Sequence, residues 1–208
     1  MQFKVCGITD ITQAHALEAL GVQYIGFIFY PASKRYALGK LSLSDVANFK
    51  PVGAKKVGVF VNMELNELLQ VVQSAGLDMV QLHGDETPEY CAAVRAQVQT
   101  VKVFRVGAAV PDFAPFKNVV DYFLFDTDSA LYGGTGQHFN WELIKGSPIP
   151  KPYFLSGGIG PNDIQGVQVM EKTKAGKTLL ALDINSQFEL EPGIKNLEKI
   201  KTFIHAFI

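Results

Sequence analysis

Cysteine is scarce in this sequence, which contains only Cys6 and Cys91 among its 208 residues. Two thiols argue against a disulfide scaffold and fit a reducing compartment. An excess of charge of either sign is also absent, because 19 Lys and Arg residues nearly balance 20 Asp and Glu residues. This balance gives no electrostatic reason to expect nucleic acid or an anionic membrane as a partner.

Long apolar runs are missing as well. No stretch approaches the ~20 apolar residues that a membrane-spanning helix needs. The N-terminal segment also lacks the order of basic, apolar and small residues that is typical of a secretory signal. We therefore expect a cytoplasmic protein that binds neither membrane nor nucleic acid.

Several motifs for cofactors and metals are not found. There is no G-x-G-x-x-G or P-loop pattern for a nucleotide, and no His, Cys and acid cluster with metal-ligand spacing. A nucleophile elbow with Ser, Asp and His in order is missing too. We expect neither a nucleotide cofactor nor a metal.

Short apolar runs alternate with helical patterns along the whole chain. Most of the runs are continuously apolar, which is typical of parallel strands covered on both faces. The predicted strands are 3–8, 24–30, 56–61, 79–83, 100–106, 122–126, 153–157 and 178–184. Predicted helices are 13–20, one opened by Ser44 or Asp45, 64–75, one opened by Thr87-Pro88-Glu89, 113–118, 141–145, 162–172 and 194–206.

Eight βα units in about 200 residues predict a single (βα)8 TIM-barrel domain over residues 1–208. An open doubly wound sheet is the alternative. In a barrel, catalytic groups lie at the C-terminal ends of the strands. Gln81 and His83 stand at one such end and share a face of their strand, so we assign them to substrate binding at the barrel mouth. For His83, a hydrogen-bonded structural role is the alternative.

A phosphate site is predicted after the seventh and eighth strands, where barrels often hold phosphate. The segment L-S-G-G-I-G-P-N-D places Gly157, Gly158 and Ile159 before a helix, and Asn185 and Ser186 follow the last strand. Backbone amides can approach an anion closely at adjacent glycines. An ordinary glycine-rich turn is the alternative interpretation.

Three further side chains at strand ends can carry chemistry. Cys6 is either a small buried hydrophobe or a base on the rim, whereas Cys91, inside a predicted helix, is expected to be buried filler. Asp126 is either a general acid or an acceptor for loop amides. Arg35 either binds a carboxylate or phosphate through its planar fork or is merely solvated.

Eight short motifs in register resemble one known family over nearly the whole chain. They are K-V-C-G-I-T at 4–9, S-K-R-Y at 33–36, G-V-F-V-N at 58–62, Q-L-H-G-D-E at 81–86, F-D-T-D at 125–128, G-G-T-G-Q-H-F-N-W at 133–141, L-S-G-G-I at 155–159 and E-P-G-I-K at 191–195. The family is phosphoribosylanthranilate isomerase. The resemblance implies an aldose–ketose isomerase of tryptophan biosynthesis with a (βα)8 fold, a phosphorylated small-molecule substrate and no cofactor.

The resemblance also implies the roles of individual residues in an Amadori rearrangement. By this resemblance Asp126 is the general acid, Cys6 is the general base, Arg35 holds the anthranilate carboxylate, and the loops at 157–159 and 185–186 hold the phosphate. The sequence leaves open whether the protein is a monomer or a homodimer.

The chain departs from the family pattern at two positions. Gln187 replaces a glycine, which requires that its φ is not positive. Asn196 replaces an Asp at the start of the last helix, where it should cap about equally well.

Three other functions remain as alternatives. An indole-glycerol-phosphate synthase would need a catalytic Lys with an acidic partner, but Lys4 lies deep in its strand and no acidic partner is evident. A ribulose-phosphate epimerase would need paired aspartates and metal-binding histidines. A non-catalytic phosphometabolite binder would be expected to lose Cys6 or Asp126, and both are present.

Overall fold

The computed structural model describes residues 1–127, 139–146 and 148–207. Eight parallel strands pair in chain order and close into a barrel, because β1 pairs with both β2 and β8. The barrel strands are β1 Gln2–Val5, β2 Tyr24–Ile28, β3 Lys55–Phe60, β4 Met79–Leu82, β5 Gln99–Val106, β6 Tyr122–Thr127, β7 Tyr153–Leu155 and β8 Leu179–Ile184. The closed barrel confirms the predicted fold class and excludes the open doubly wound sheet.

Helices surround the barrel and mostly follow the predicted positions. They are α1 Ile11–Ala19, α2 Leu43–Asn48, α3 Leu65–Ala75, α4 Pro88–Arg95, α5 Glu142–Lys145, α6 Ile164–Glu171 and α7 Leu197–His205. Thr87 and Asn196 each accept a backbone N–H at the start of a helix, so these two predicted caps are confirmed. The predicted opening of α2 at Ser44 or Asp45 is wrong, because Ser42 caps this helix by accepting the backbone N–H of Asp45. Among the described residues, no helix is long and apolar enough to cross a membrane.

Two other predicted helices are wrong in part. The segment 113–118 forms only a short 3-10 turn at Ala114–Phe116, because Pro115 has no backbone N–H to donate and disfavours helical dihedral angles at the residue before it. The last helix does not begin at Ile194. Instead, β9 Glu189–Glu191 and β10 Ile194–Lys195 pair antiparallel around a turn in which Gly193 has φ of 89°.

Side chains of the barrel strands divide between two apolar clusters. The inner cluster consists of strand residues only and fills the barrel axis with Tyr24, Val57, Met79, Val101, Val103, Leu124, Phe154 and Ala181. The larger cluster packs strands against helices and contains Val80, Leu82 and the helix residue Cys91. Cys91 is thus buried, as predicted, and the helix-facing positions of Val80 and Leu82 leave Gln81 and His83 on the inward face.

Candidate active site

The two predicted acid–base residues lie at the same end of the barrel. Cys6 directly follows β1 and Asp126 is the penultimate residue of β6, both at C-terminal strand ends. Phe3 and Val5 of β1 pack against the helices, so Lys4 and Cys6 share the inward face of that strand. A thiol and a carboxyl group therefore both belong to the mouth where (βα)8 enzymes perform their chemistry.

The thiol of Cys6 is almost fully enclosed, with 5% of the residue exposed. A methyl group added at Gly26 of β2 would lie 2.9 Å from its sulfur, so a glycine at this position makes room for the thiol. Burial and, to a smaller extent, the Asp183 carboxylate raise the pKa of Cys6, while the nearby ammonium groups of Lys4 and Lys195 oppose that rise. The resting group is accordingly a thiol with two cations close enough to favour its ionised form.

A buried ion pair lies beside this thiol. Lys4 Nζ donates a hydrogen bond to Asp183 Oδ2 of β8 at 2.9 Å. Burial alone would lower the pKa of Lys4, but the Asp183 carboxylate and Cys6 hold it above its ordinary value. The expectation that Lys4 lacks an acidic partner is wrong, since barrel closure brings Asp183 next to it.

Asp126 is held by its neighbours in a defined orientation. Its Oδ1 accepts the backbone N–H of Thr127 at 2.8 Å, and its Oδ2 lies 3.4 Å from His83 Nε2. Only 7% of the residue is exposed. The Asp126 carboxyl group thus accepts a backbone N–H at the end of β6, as expected of an acceptor for loop amides. It also lies at the barrel mouth, as a general acid must.

The side chain of Gln81 contacts that of His83. The Gln81 Nε2 atom lies 3.0 Å from His83 Nδ1, and Gln81 itself is fully buried. Among the described residues, Gln81 Oε1 and His83 Nε2 have no hydrogen-bond partner. His83 therefore presents a polar atom toward Asp126, and Gln81 contacts His83. The assignment of both residues to substrate binding stays a prediction.

The two loops predicted to hold phosphate are adjacent. Gly157 and Gly158 adopt positive φ values of 90° and 71°, and a Cβ at Gly157 would collide with Thr127 Oγ1. A Cβ at Gly160 would lie 3.4 Å from that of Gln187, so the loops after β7 and β8 are in contact. Because Gly157 and Gly158 have no side chains, a ligand can approach the backbone amides of this loop closely.

Other residues of these loops differ in what they can offer a ligand. The side chain of Ile159 packs in the core, which leaves only its backbone for binding. Asn185 and Ser186 are partly exposed. Gln187 does not have a positive φ, because Asn62 is the sole non-glycine with one in the described chain. Gln187 can therefore replace the glycine that the family has at this position without backbone strain.

Arg35 is engaged by a carboxylate from the other end of the chain. Its Nε and Nη2 atoms donate to both oxygens of Glu189 at 2.6–2.9 Å. This excludes the interpretation that Arg35 is merely solvated. Its binding of a substrate carboxylate stays a prediction. Of the three guanidinium nitrogens, Nη1 is the one that does not donate to Glu189.

The loop after β6 lies partly outside the described residues. The motif at 133–141 and the glycines of 133–136 fall in or next to the segment 128–138, which the structure does not describe.

Comparison with known proteins decides the family. The model of the family described as N-(5'-phosphoribosyl)anthranilate (PRA) isomerase matches residues 3–206. The chain belongs to this family. It is 35% identical over 212 residues to the N-(5'-phosphoribosyl)anthranilate isomerase of Parabacteroides distasonis, an alignment that covers 100% of this chain and 94% of the relative.

Solved structures of phosphoribosylanthranilate isomerases share the fold. The crystal structure of the Thermus thermophilus isomerase superposes with a TM-score of 0.82 at 28% identity, covering 100% of this chain and 98% of that one. A second isomerase structure, in complex with reduced 1-(o-carboxyphenylamino)-1-deoxyribulose 5-phosphate, has a TM-score of 0.74 at 30% identity and covers 99% and 97% of the two chains.

Two charged residues of this isomerase were missed in the sequence. Glu189 and Lys195 flank the turn at Pro192-Gly193 and form a buried ion pair of 2.7 Å. The segment F-E-L-E-P-G-I-K carries the signal, since alternating residues around Pro-Gly are typical of a hairpin. Interpreting it as the start of a helix hid the pair.

Proposed function

We propose that this chain catalyses the Amadori rearrangement of N-(5'-phosphoribosyl)anthranilate, with Asp126 as general acid and Cys6 as general base. The observation that carries this assignment is the placement of both groups at the C-terminal end of one barrel. Anion-binding features stand on either side of them, with Arg35 at the end of β2 and the glycine loop after β7.

In the first step, the proton of Asp126 goes to the ring oxygen of the sugar. The bond between that oxygen and C1' breaks, and the lone pair of the anthranilate nitrogen forms a C=N bond. The product is a cationic Schiff base. The contacts of Asp126 with Thr127 and His83 fix the carboxyl group for this transfer.

In the second step, the thiolate of Cys6 removes the proton from C2'. The electron pair of that C–H bond forms the C1'=C2' bond, and the electrons of C=N return to nitrogen. The resulting enolamine tautomerises to the ketose. Lys4 and Lys195 favour this step because their charges stabilise the thiolate that burial disfavours.

Anchors at the two ends of the substrate hold the sugar between acid and base. Arg35 receives the anthranilate carboxylate, and the phosphate is held by Gly157, Gly158 and the backbone amide of Ile159 together with Asn185 and Ser186. A related isomerase is described in complex with a compound that carries a carboxyphenyl group and a phosphate, which supports a ligand with an anionic group at each end. Fixing both ends places the reactive carbon within reach of both groups.

The test is to measure turnover by the loss of anthranilate-type fluorescence when enzyme is mixed with the substrate. Cys6→Ser and Asp126→Asn should each lower kcat by ~10²–10⁴-fold, because each removes one positioned proton transfer. Inhibition by inorganic phosphate should change little, since neither side chain belongs to the glycine loop. Near-normal turnover by either variant would contradict the assignment.

Two properties of the protein complete the proposal. We place it in the cytoplasm, which fits its two free cysteines. It acts as a monomer or a homodimer, and light scattering across a range of protein concentrations distinguishes the two states.

A further inference from the structure

A buried cluster of three charges joins the β2 end to the hairpin that follows β8. Glu189 accepts hydrogen bonds from Arg35 Nη2 at 2.6 Å and from Lys195 Nζ at 2.7 Å. The Lys195 side chain is completely buried, and that of Glu189 is 5% exposed. We call Arg35, Glu189 and Lys195 the hairpin charge cluster.

The carboxylate of Glu189 is the centre of this cluster. Besides the two cations, it accepts the backbone N–H of Gly193 at 3.0 Å. Although burial alone would raise the pKa of Glu189, Arg35 and Lys195 hold it below its ordinary value. Glu189 is therefore ionised at neutral pH and accepts hydrogen bonds from the Arg35 guanidinium as a carboxylate.

The cluster also contacts residues next to Cys6 and in the loop after β8. Lys195 Nζ donates to Asn185 Oδ1 at 2.6 Å, in the loop after β8. A Cβ at Gly7, the residue after the catalytic thiol, would lie 2.7 Å from Arg35 Cδ and 3.0 Å from Asn185 Oδ1. Arg35 thus packs directly over the backbone next to Cys6.

We propose that Glu189 is a positioning residue for substrate recognition, which fixes the guanidinium of Arg35 to receive the carboxylate of the substrate. This inference rests on the proposed function. A long Arg side chain has many rotamers, and a two-point pair with Glu189 restricts it to one. Arg35 and Lys195 formally carry two positive charges against one negative charge, so a substrate carboxylate complements the cluster.

The proposal separates Glu189 from a residue that only stabilises the fold. If it acts through Arg35, its removal weakens binding only of a substrate that carries the carboxylate. The matched substrate is the N-(5'-phosphoribosyl) derivative of aniline, which lacks that group and keeps the sugar and phosphate. A fold-stabilising role would affect both substrates by the same factor.

The experiment measures kcat and KM of the wild type and of Glu189→Gln with both substrates. For the carboxylated substrate we expect KM to rise by about tenfold or more in Glu189→Gln while kcat changes by less than about threefold, and for the aniline derivative we expect both constants to stay within about twofold. Glu191→Gln is the matched control, because Glu191 lies on the same hairpin with an exposed side chain. This control should match the wild type with both substrates.

A second variant covers the case in which Glu189→Gln fails to fold with two buried cations left unpaired. The double variant Glu189→Gln/Lys195→Met removes one charge of each sign. Because Lys195 also favours the Cys6 thiolate, kcat of this variant should fall by the same factor with both substrates, whereas KM should rise only with the carboxylated one. Equal rises in KM with both substrates, or no rise, would overturn the inference alone. A wild type that does not distinguish the substrates would overturn it too, whereas a wild type that converts neither substrate would overturn the proposed function and the inference with it.

Discussion

The buried pair of Lys4 and Asp183 gives a quantitative test of how the barrel interior tolerates charge. The two side chains are 1% and 6% exposed, and their atoms are 2.9 Å apart. Lys4→Met removes one partner and leaves a carboxylate in a site that excludes water. We expect this variant to lose about 3–5 kcal/mol of unfolding free energy, the usual cost of an uncompensated buried charge.

The double variant Lys4→Met/Asp183→Leu separates the cost of an orphaned charge from the value of the pair. It removes both charges and fills the space with apolar atoms of similar volume. We expect it to recover most of the stability lost in Lys4→Met, because apolar replacement of a buried ion pair is often neutral or stabilising.

A surface ion pair of similar length provides the control. Arg95 Nε and Asp121 Oδ1 are 2.8 Å apart, but their side chains are 41% and 25% exposed. Arg95→Met should cost only about 1 kcal/mol or less. Urea unfolding followed by circular dichroism measures all three variants. A loss in Lys4→Met no larger than in Arg95→Met would refute the reasoning that burial sets the cost.

Three further predictions concern the site itself. Because burial raises the pKa of Cys6 and only its thiolate is a nucleophile, the rate at which iodoacetamide inactivates the enzyme should increase as the pH rises from neutral into the alkaline range; a flat profile there would contradict this. Gly157→Ala should weaken inhibition by inorganic phosphate by about tenfold, or ~1.4 kcal/mol, because an alanine strains the backbone at a φ of 90°. Gly146→Ala is the control and should leave this inhibition unchanged, because φ there is −79°. Gln81→Leu should lower kcat by about tenfold, since His83 loses the contact that orients it toward Asp126; an unchanged kcat would show that His83 needs no such support.

Local patterns in the sequence were enough to predict the barrel and the strand ends. Continuous apolar runs indicated the parallel strands, and each of the eight overlaps a strand of the structure. The adjacent Gly157 and Gly158 indicated a backbone that needs positive φ, which both residues adopt. These predictions succeed because the physical cause, side-chain burial or backbone sterics, acts within a few residues.

Contacts between distant segments could not be predicted in the same way. Lys4 and Asp183 are 179 residues apart in the chain, and Arg35 and Glu189 are 154 residues apart. Nothing in the neighbourhood of Lys4 indicates which carboxylate it meets. The boundary error at Ile194 has a related cause, since the helical spacing of apolar residues in α7 extended by chance into a short strand.

Closure of the barrel unites these distant contacts at one place. The first strand and the last strand pair directly, which brings Asp183 to Lys4, and the hairpin after β8 then supplies Lys195 near the thiol. The charged groups that act on the pKa of Cys6, Lys4 on one side and Asp183 and Lys195 on the other, therefore come from opposite ends of the sequence. The basicity of Cys6 is a property of the closed barrel, and the short motif around it only determines where the thiol stands.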